Sequence, residues 1–360
     1  MKSPDVTPRL EIDLNKIRHN SAHLSEQLGS RGVRVTGVTK VALGDPRVAN
    51  AMLQGGVNSI GDSRIENIRK MRRAGIEAEF MLLRSPQLSR ADEVVEYADI
   101  SLNSELEVIT RLSQAAQRQN RTHRVLLMVE LGDLREGIPL SELEQVIEQC
   151  LKLPNIEIEG IGTNLTCLSG VKPDATNMGR LSHTAEAIRE HFGLDLKTVS
   201  GGNSATLDWL YNTDQLGQIN NLRLGEAILL GCETLHRQPL PGLHQNAITL
   251  VAEVIEAKVK PSVPEGQLAQ NAFGESPRFT ERGNSQRSIL SMGQQDIQLE
   301  GITPEFPTFE ILGASSDHLV LDSSRCPLQV GDQVRFRLNY SALLAAMTSP
   351  YVEKTFIGLP

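Results

Sequence analysis

Apolar positions along the first two thirds of the chain come in short β-branched or aliphatic runs, each followed by a stretch with helical spacing. Eight such runs fall at residues 33–40, 57–61, 79–84, 98–102, 124–130, 156–163, 197–200 and 219–224. The segments between them carry helix-start chemistry. Ser63-Arg64-Ile65-Glu66, Ser104-Glu105-Leu106-Glu107 and Ser141-Glu142-Leu143-Glu144 read as capping boxes, in which a hydroxyl and a later carboxylate satisfy orphan backbone N–H groups. Gly193 after His191-Phe192 supplies a helix stop, and Leu106, Ile109 and Leu112-Ser113 have the spacing of a buried stripe. Eight strand–helix units in roughly 230 residues predict a (β/α)8 TIM barrel before any other α/β fold.

The pattern changes after Pro239-Leu240-Pro241-Gly242. Ile248 to Val259, Ser288 to Met292, Thr308 to Leu312, His318 to Asp322 and Gln333 to Leu338 read as strands separated by Gly, Pro and Asp turns. This predicts a barrel over 10–240 and a C-terminal all-β domain over 245–360, joined by residues 1–9. The polar stretch Pro261 to Arg287 is long for a connection inside a compact domain.

Composition narrows the function classes. With 360 residues, 39% apolar and 22% charged, the chain has ordinary globular content. A net charge of -8, with cations scattered among carboxylates, gives neither a stripe for nucleic acid nor a basic amphipathic helix for membranes. The four cysteines, Cys150, Cys167, Cys232 and Cys326, are far apart and form no C-x-x-C pair, which argues against a disulfide framework or a zinc knuckle. Met1 to Leu14 has no apolar core of signal-peptide length and no stretch approaches a membrane span, so a cytoplasmic protein is expected. Two sequon matches, at Asn164 and Asn339, are then chance.

Candidate chemistry gathers at the ends of the barrel runs. Lys40 closes the first run and places an amine at the rim, where barrel enzymes keep their chemistry and a partly desolvated lysine can form a Schiff base. Arg135 follows the fifth run, and Asn164 ends the sixth. Ser200-Gly201-Gly202-Asn203-Ser204 after the seventh run suits an anion, because glycines let successive N–H groups converge. Arg223 ends the eighth run ahead of Gly225 and Glu226. Singly these read as a surface lysine, a turn and an ion-pairing arginine. Together they describe a site for a phosphorylated aldehyde, pyridoxal 5′-phosphate.

At these residues the chain resembles the barrel-type pyridoxal-phosphate amino-acid racemases, the alanine/ornithine racemase family. The marks run over nearly the whole chain: Asp62 to Asn67, Ala98 to Leu106, Glu130 to Gly137, Val199 to Ser204 and Gly313 to His318. The resemblance implies that Lys40 holds the cofactor as an internal aldimine and is one catalytic base. Arg135 is similar to the arginine near the cofactor's phenolic oxygen. Asn164 stands where alanine racemase stacks a histidine on the ring. Ser204 resembles the phosphate-binding serine, with Gly225, Glu226 and Tyr351 near the other phosphate contacts, and Arg223 resembles the arginine beside the pyridine nitrogen. A guanidinium there makes the ring a weaker electron sink than a carboxylate would, which suits racemisation better than transamination. The implied reaction removes the Cα proton from an external aldimine and returns one on the opposite face.

One position departs from the family. The tyrosine expected as opposite-face acid/base, from the β domain of a partner subunit, is replaced by Phe273 in Phe273-Gly274. Phenylalanine transfers no proton, so His318, Tyr340 and Tyr351 become candidates, with His318 preferred because imidazole is the side-chain type suited to moving protons near neutral pH. Met292, Gln294, Gln295 and Asp296 fall in the substrate-carboxylate segment, and Asp296 reads either as a partner for the distal ammonium of ornithine or lysine or as an exposed turn aspartate. A homodimer with shared sites is implied. The rivals are a non-catalytic pyridoxal-phosphate-binding protein, which would lack the β domain, and a metal-assisted D-amino-acid aldolase or dehydratase, whose tightly spaced metal ligands His318 and Cys326 do not reproduce. A barrel decarboxylase would need a C-terminal cysteine–aspartate motif that the chain lacks.

Overall fold

The computed structural model describes residues 6–276 and 278–358. Residues 1–5, 277, 359 and 360 lie outside the described residues, and with them part of the N-terminal stretch read above and the ends of the expected β domain. The chain divides into two compact units, one of Leu14–Gln245 and one of Asn246–Gly358 with the described residues up to Asp13. Among the described residues no helix is long and apolar enough to cross a membrane.

The first strand, β1 (Arg9–Asp13), belongs to the second unit. The barrel unit contains β2 (Arg34–Val38), β3 (Ser59–Asp62), β4 (Phe80–Leu82), β5 (Ile100–Asn103), β6 (His123–Met128), β7 (Ile156–Gly162), β8 (Thr198–Ser200) and β9 (Asn221–Leu224). They close in sequence order into an eight-stranded parallel barrel, each strand arising from one of the eight apolar runs. The first run ends earlier than its pattern suggests: β2 stops at Val38, and Lys40 opens a short 3-10 turn, Lys40–Ala42.

The helices begin near the expected places, but not with the expected caps. Helices Ile65–Arg73, Leu106–Arg118 and Leu140–Cys150 have no side-chain cap bond. Ser63 and Ser104 fall one residue before the N-cap, and Ser141 falls inside its helix, so no hydroxyl meets the orphan N–H groups. A capping box does form at Asp174 and Asn177, opening the helix Ala175–Phe192 that Gly193 stops at φ 64.

Two glycines reveal which side chains share the barrel interior. A Cβ on Gly61 would meet Leu83 and Thr36, and one on Gly162 would meet Leu126 and Ser200. One sector of the lumen is apolar, built from Met81, Ile100, Leu102, Leu126 and Met128 with Leu83 against them. The other sector, on β8, β9, β2 and β3, is polar: Ser200, Asn221, Thr36 and Ser59 bond to one another in a buried series.

In the second unit lie β10 (Ile248–Pro261), β11 (Asn284–Leu290), β12 (Ile302–Pro304), β13 (Glu310–Ala314), β14 (Leu319–Asp322), β15 (Gln333–Leu338) and β16 (Glu353–Ile357). The sheet runs β12-β15-β10-β11-β14-β13, with β1 antiparallel to β10 and parallel to β16. Pairing of β10 with β11 continues out to Pro261 and Asn284, so the long polar stretch shortens to a hairpin loop over 262–283. The unit is not wholly β: Asn339 caps a helix, Tyr340–Thr348, through its side chain and Ala342 N, 3.0 Å apart. The run Ala342-Leu343-Leu344-Ala345-Ala346 is rich in helix formers, which decides that segment.

Candidate active site

Lys40 is placed by the end of β3. Thr39 N donates to Gly61 O at 3.0 Å, and Thr39 Oγ1 donates to Asp62 Oδ2 at 2.8 Å. The other carboxylate oxygen, Oδ1, accepts from Arg64 N at 2.9 Å and Asn67 Nδ2 at 3.0 Å. Burial pushes the Asp62 carboxyl above its usual pKa, while these bonds favour the ionised form. The Asp62 to Asn67 motif therefore fixes the turn that carries the lysine. On the other side of β2, a Cβ on Gly225 would lie 3.2 Å from Val38, so the β9 rim runs close beside the chain leading to Lys40.

The rims of β7, β8 and β9 form a second cluster. Arg223, 5% exposed, donates from Nη1 to Ser200 Oγ at 2.5 Å, and from Nη2 to Thr163 O at 2.8 Å and Asn164 Oδ1 at 3.4 Å. Each of these acceptors is neutral. Burial lowers the guanidinium pKa to about 10, with Glu136 raising it in part, so the group stays cationic at neutral pH. Asn203 Nδ2 donates to Asn164 Oδ1 at 3.2 Å, to Leu165 O at 2.9 Å and to Cys167 Sγ at 3.5 Å. The buried Nδ2 of Asn164 has no partner among the described residues.

The anion loop is narrower than its sequence suggests. Gly201 N is taken by Asn221 O at 2.9 Å and Ala205 N by Asn203 Oδ1 at 2.8 Å, so the stretch from Gly202 to Ser204 is what the loop offers an anion. Gly202 sits at φ 113, a conformation that L side chains rarely adopt. Ser204 Oγ accepts from Ala227 N at 3.2 Å, which joins this loop to Gly225 and Glu226. The Glu226 carboxylate turns away, accepting from Thr234 Oγ1 at 3.1 Å and pairing with Arg237 at 2.5 Å, and burial raises its pKa. Only its backbone lies beside Ser204.

Arg135 is partly exposed and pairs with its neighbour Glu136. Its loop is folded by Glu130, whose Oε1 accepts from Gly132 N at 2.5 Å and Leu134 N at 3.2 Å. Asp133 in the same loop accepts from Leu168 N and Ser169 N at 3.2 and 3.1 Å, tying the Arg135 loop to the one carrying Asn164 and Cys167. The sequence assigns no side-chain role to Asp133, Asn203, Cys167, Ser200 or Asn221. Polar residues at inward positions of barrel strands are the signal that finds Ser200 and Asn221.

The remaining candidates lie in the β unit, where several meet. Met292 is buried. Gln294 N donates to Ser315 O at 2.9 Å, Gln294 Nε2 to Ala314 O at 3.2 Å, and Gln295 bonds Asp317. His318 closes the same turn with Ser315, its N 3.2 Å from Ser315 Oγ and its Nδ1 3.5 Å away. Asp296 is 5% exposed and not an open turn residue; its oxygens accept from Ser349 Oγ at 2.9 Å and Gly293 N at 3.2 Å. Tyr351 N bonds Ser349 Oγ at 3.2 Å, while the Tyr351 side chain is exposed. Tyr340 starts its helix, and Phe273 sits in the 262–283 loop, its N held 2.9 Å from Asn271 Oδ1.

A closed parallel barrel followed by an antiparallel sheet is the architecture of solved alanine racemases. The structure resembles the enzyme from D-cycloserine-producing Streptomyces lavendulae with a TM-score of 0.77, 17% identity and 99% of both chains covered. It resembles the Bacillus anthracis enzyme with a TM-score of 0.76 and 21% identity, covering 99% of this chain and 96% of that one. At such identities the likeness speaks for the fold. Residues 12–232 match the family described as alanine racemase, N-terminal domain, and the chain belongs to that family. It is 40% identical to an ornithine racemase of Acetoanaerobium sticklandii over 97% of this chain and 99% of that protein. It is also 40% identical to a lysine racemase of Thermotoga maritima, with 98% and 99% covered.

Proposed function

We propose that the protein is a pyridoxal-phosphate-dependent racemase that interconverts the L and D forms of a basic amino acid, ornithine or lysine. The observation that carries this is full-length similarity at 40% identity to an ornithine and a lysine racemase, in a chain whose barrel rim holds Lys40.

The residues present fit the cofactor. Asn164 Nδ2 is a buried amide donor without a partner among the described residues, and a bound group would satisfy it. The Ser204 hydroxyl and the loop from Gly202 to Ser204, held beside Gly225 and Glu226 by the Ala227 N–Ser204 bond, supply donors for a phosphate. Bound there, pyridoxal phosphate supplies the electron sink that acidifies the substrate's Cα proton. Lys40, at the barrel rim, would hold the cofactor's aldehyde and would carry the Cα proton on one face. Arg223, a cationic donor, would leave the ring nitrogen unprotonated, which would make the ring a weaker electron sink and favour return of a proton to Cα. Arg135 and Asn164 orient the cofactor ring.

For the opposite face, His318 is the preferred acid, with Tyr340 second; His318 sits on the turn that bonds the Gln294–Gln295 segment assigned to substrate. Asp296 acts by holding that segment to Ser349, and through Ser349 to Tyr351, the residue that the family resemblance assigns to the phosphate. We place the enzyme in the cytoplasm, which its four unpaired cysteines favour, and as a homodimer with shared sites, the arrangement that family resemblance supports. The test is incubation with pyridoxal phosphate and L-ornithine, L-lysine or L-alanine in D2O, following Cα deuteration and chirality. Exchange with inversion, strongest for a basic substrate and abolished by Lys40→Ala, is expected. No exchange, despite a cofactor absorbance that needs Lys40, supports a binding protein instead.

A further inference from the structure

The series of side chains behind Arg223 has an orientation as well as a composition. Arg223 Nη1 donates to Ser200 Oγ at 2.5 Å, Ser200 Oγ donates to Asn221 Oδ1 at 2.6 Å, and Asn221 Nδ2 donates to Thr36 Oγ1 at 3.0 Å. Thr36 Oγ1 lies 2.8 Å from Ser59 Oγ, and because it accepts from Asn221 its own proton is available to Ser59. As far as Thr36, every donor points away from the guanidinium. All five residues are at most 5% exposed, so water does not substitute for any link.

A buried cation without a carboxylate partner is costly unless dipoles face it. Aligned hydrogen bonds polarise one another by about 10–30% per bond, so four groups in series act on the cation more strongly than the first hydroxyl alone. The series also spans β8, β9, β2 and β3, whose rims carry Ser204, Gly225, Lys40 and Asp62. We propose that Ser200, Asn221 and Thr36 are positioning residues that hold Arg223 as a pure donor and disperse its charge down the barrel, and so keep the bound cofactor on racemisation rather than transamination. Thr36 does not touch Arg223; its influence travels through Asn221 and Ser200. The inference rests on the cofactor reading given above.

The test uses the pyridoxal-phosphate-loaded full chain with Ser200→Ala, Ser200→Thr and Thr36→Val. Four quantities are followed: the cofactor's absorption spectrum and its pH titration, cofactor affinity, Cα deuteration of ornithine, and transamination. In transamination the substrate's amino group passes to the cofactor, the substrate leaves as its keto acid, and the cofactor aldehyde is reduced to the amine. Ser200→Ala is expected to slow deuteration about tenfold to a hundredfold, the worth of a hydrogen bond to a charged group. It should also shift the spectral titration and raise the share of turnovers ending in transamination. Thr36→Val should shift both in the same direction by about twofold to threefold, with cofactor affinity within about twofold of the parent, as expected for one polarising link. Ser200→Thr, which keeps the hydroxyl, should restore the parent values. An unchanged titration and unchanged partition in Ser200→Ala, or an effect of Thr36→Val confined to thermal unfolding, overturns the inference alone. A parent without Lys40-dependent absorbance overturns the cofactor reading, and the inference with it.

Discussion

Acidification tests the packing between β5 and β6 quantitatively. His123 is 1% exposed, its Nε2 2.8 Å from Ser101 Oγ, and burial, aided by the Arg124 charge, lowers its pKa from 6.5 to about 4. The unfolded chain therefore binds a proton that the folded one refuses between pH 6.5 and 4, and stability present above the unfolded pKa is lost as pH falls. The whole interval is worth about 3 kcal/mol, of which about 2 kcal/mol is lost by pH 5. His123→Gln keeps a side chain able to bond Ser101 and removes the titration. Trp209, the single tryptophan, lies in the barrel unit and is 9% exposed, so its fluorescence in urea reports barrel unfolding. Between pH 7.5 and pH 5 the parent should lose about 2 kcal/mol more than His123→Gln. Equal losses in the two proteins would refute the reasoning, because the other carboxylates are common to both.

Three further substitutions test other links. Gly162→Ala puts a Cβ 2.8 Å from Leu126 Cδ2 and 3.0 Å from Ser200 Cβ. It should destabilise the barrel by about 1–3 kcal/mol, read by the same fluorescence. Ser204→Ala removes the acceptor of Ala227 N and a donor for phosphate, and should raise the Kd for pyridoxal phosphate about tenfold in an absorbance titration. Asn339→Ala loses the cap of helix Tyr340–Thr348 and should cost about 1 kcal/mol in thermal unfolding.

The barrel was legible because its strands are buried on both faces and so appear as continuous aliphatic runs, as in Val125 to Met128. What escaped is local register. A capping pattern specifies a hydroxyl near a helix start, yet a shift of one residue at Ser63 and Ser104 and of two at Ser141 leaves the hydroxyl off the N-cap. β1, β12 and β16 were missed because short strands take their identity from partners far along the chain. Within the site, Lys40, Ser204 and Arg223 stood out as charged or polar residues at strand ends, whereas Ser200 and Asn221 gain meaning only once neighbouring strands place them face to face. Asp296 shows the converse: its position in sequence reads as exposed, but Ser349 buries it.

β1 also bears on how the chain is made. Arg9 pairs with Val251 on one side and Glu353 on the other, so β1 finds its partners only after the whole barrel segment between them has been made. Leu14–Gln245, in contrast, draws all eight barrel strands from one uninterrupted stretch that is complete before β10 and β16 are made. A nascent chain can thus close its barrel while β1 waits as an open edge. Stalled or C-terminally truncated products should carry that edge unpaired, making them the species most exposed to aggregation and the natural clients of a holdase.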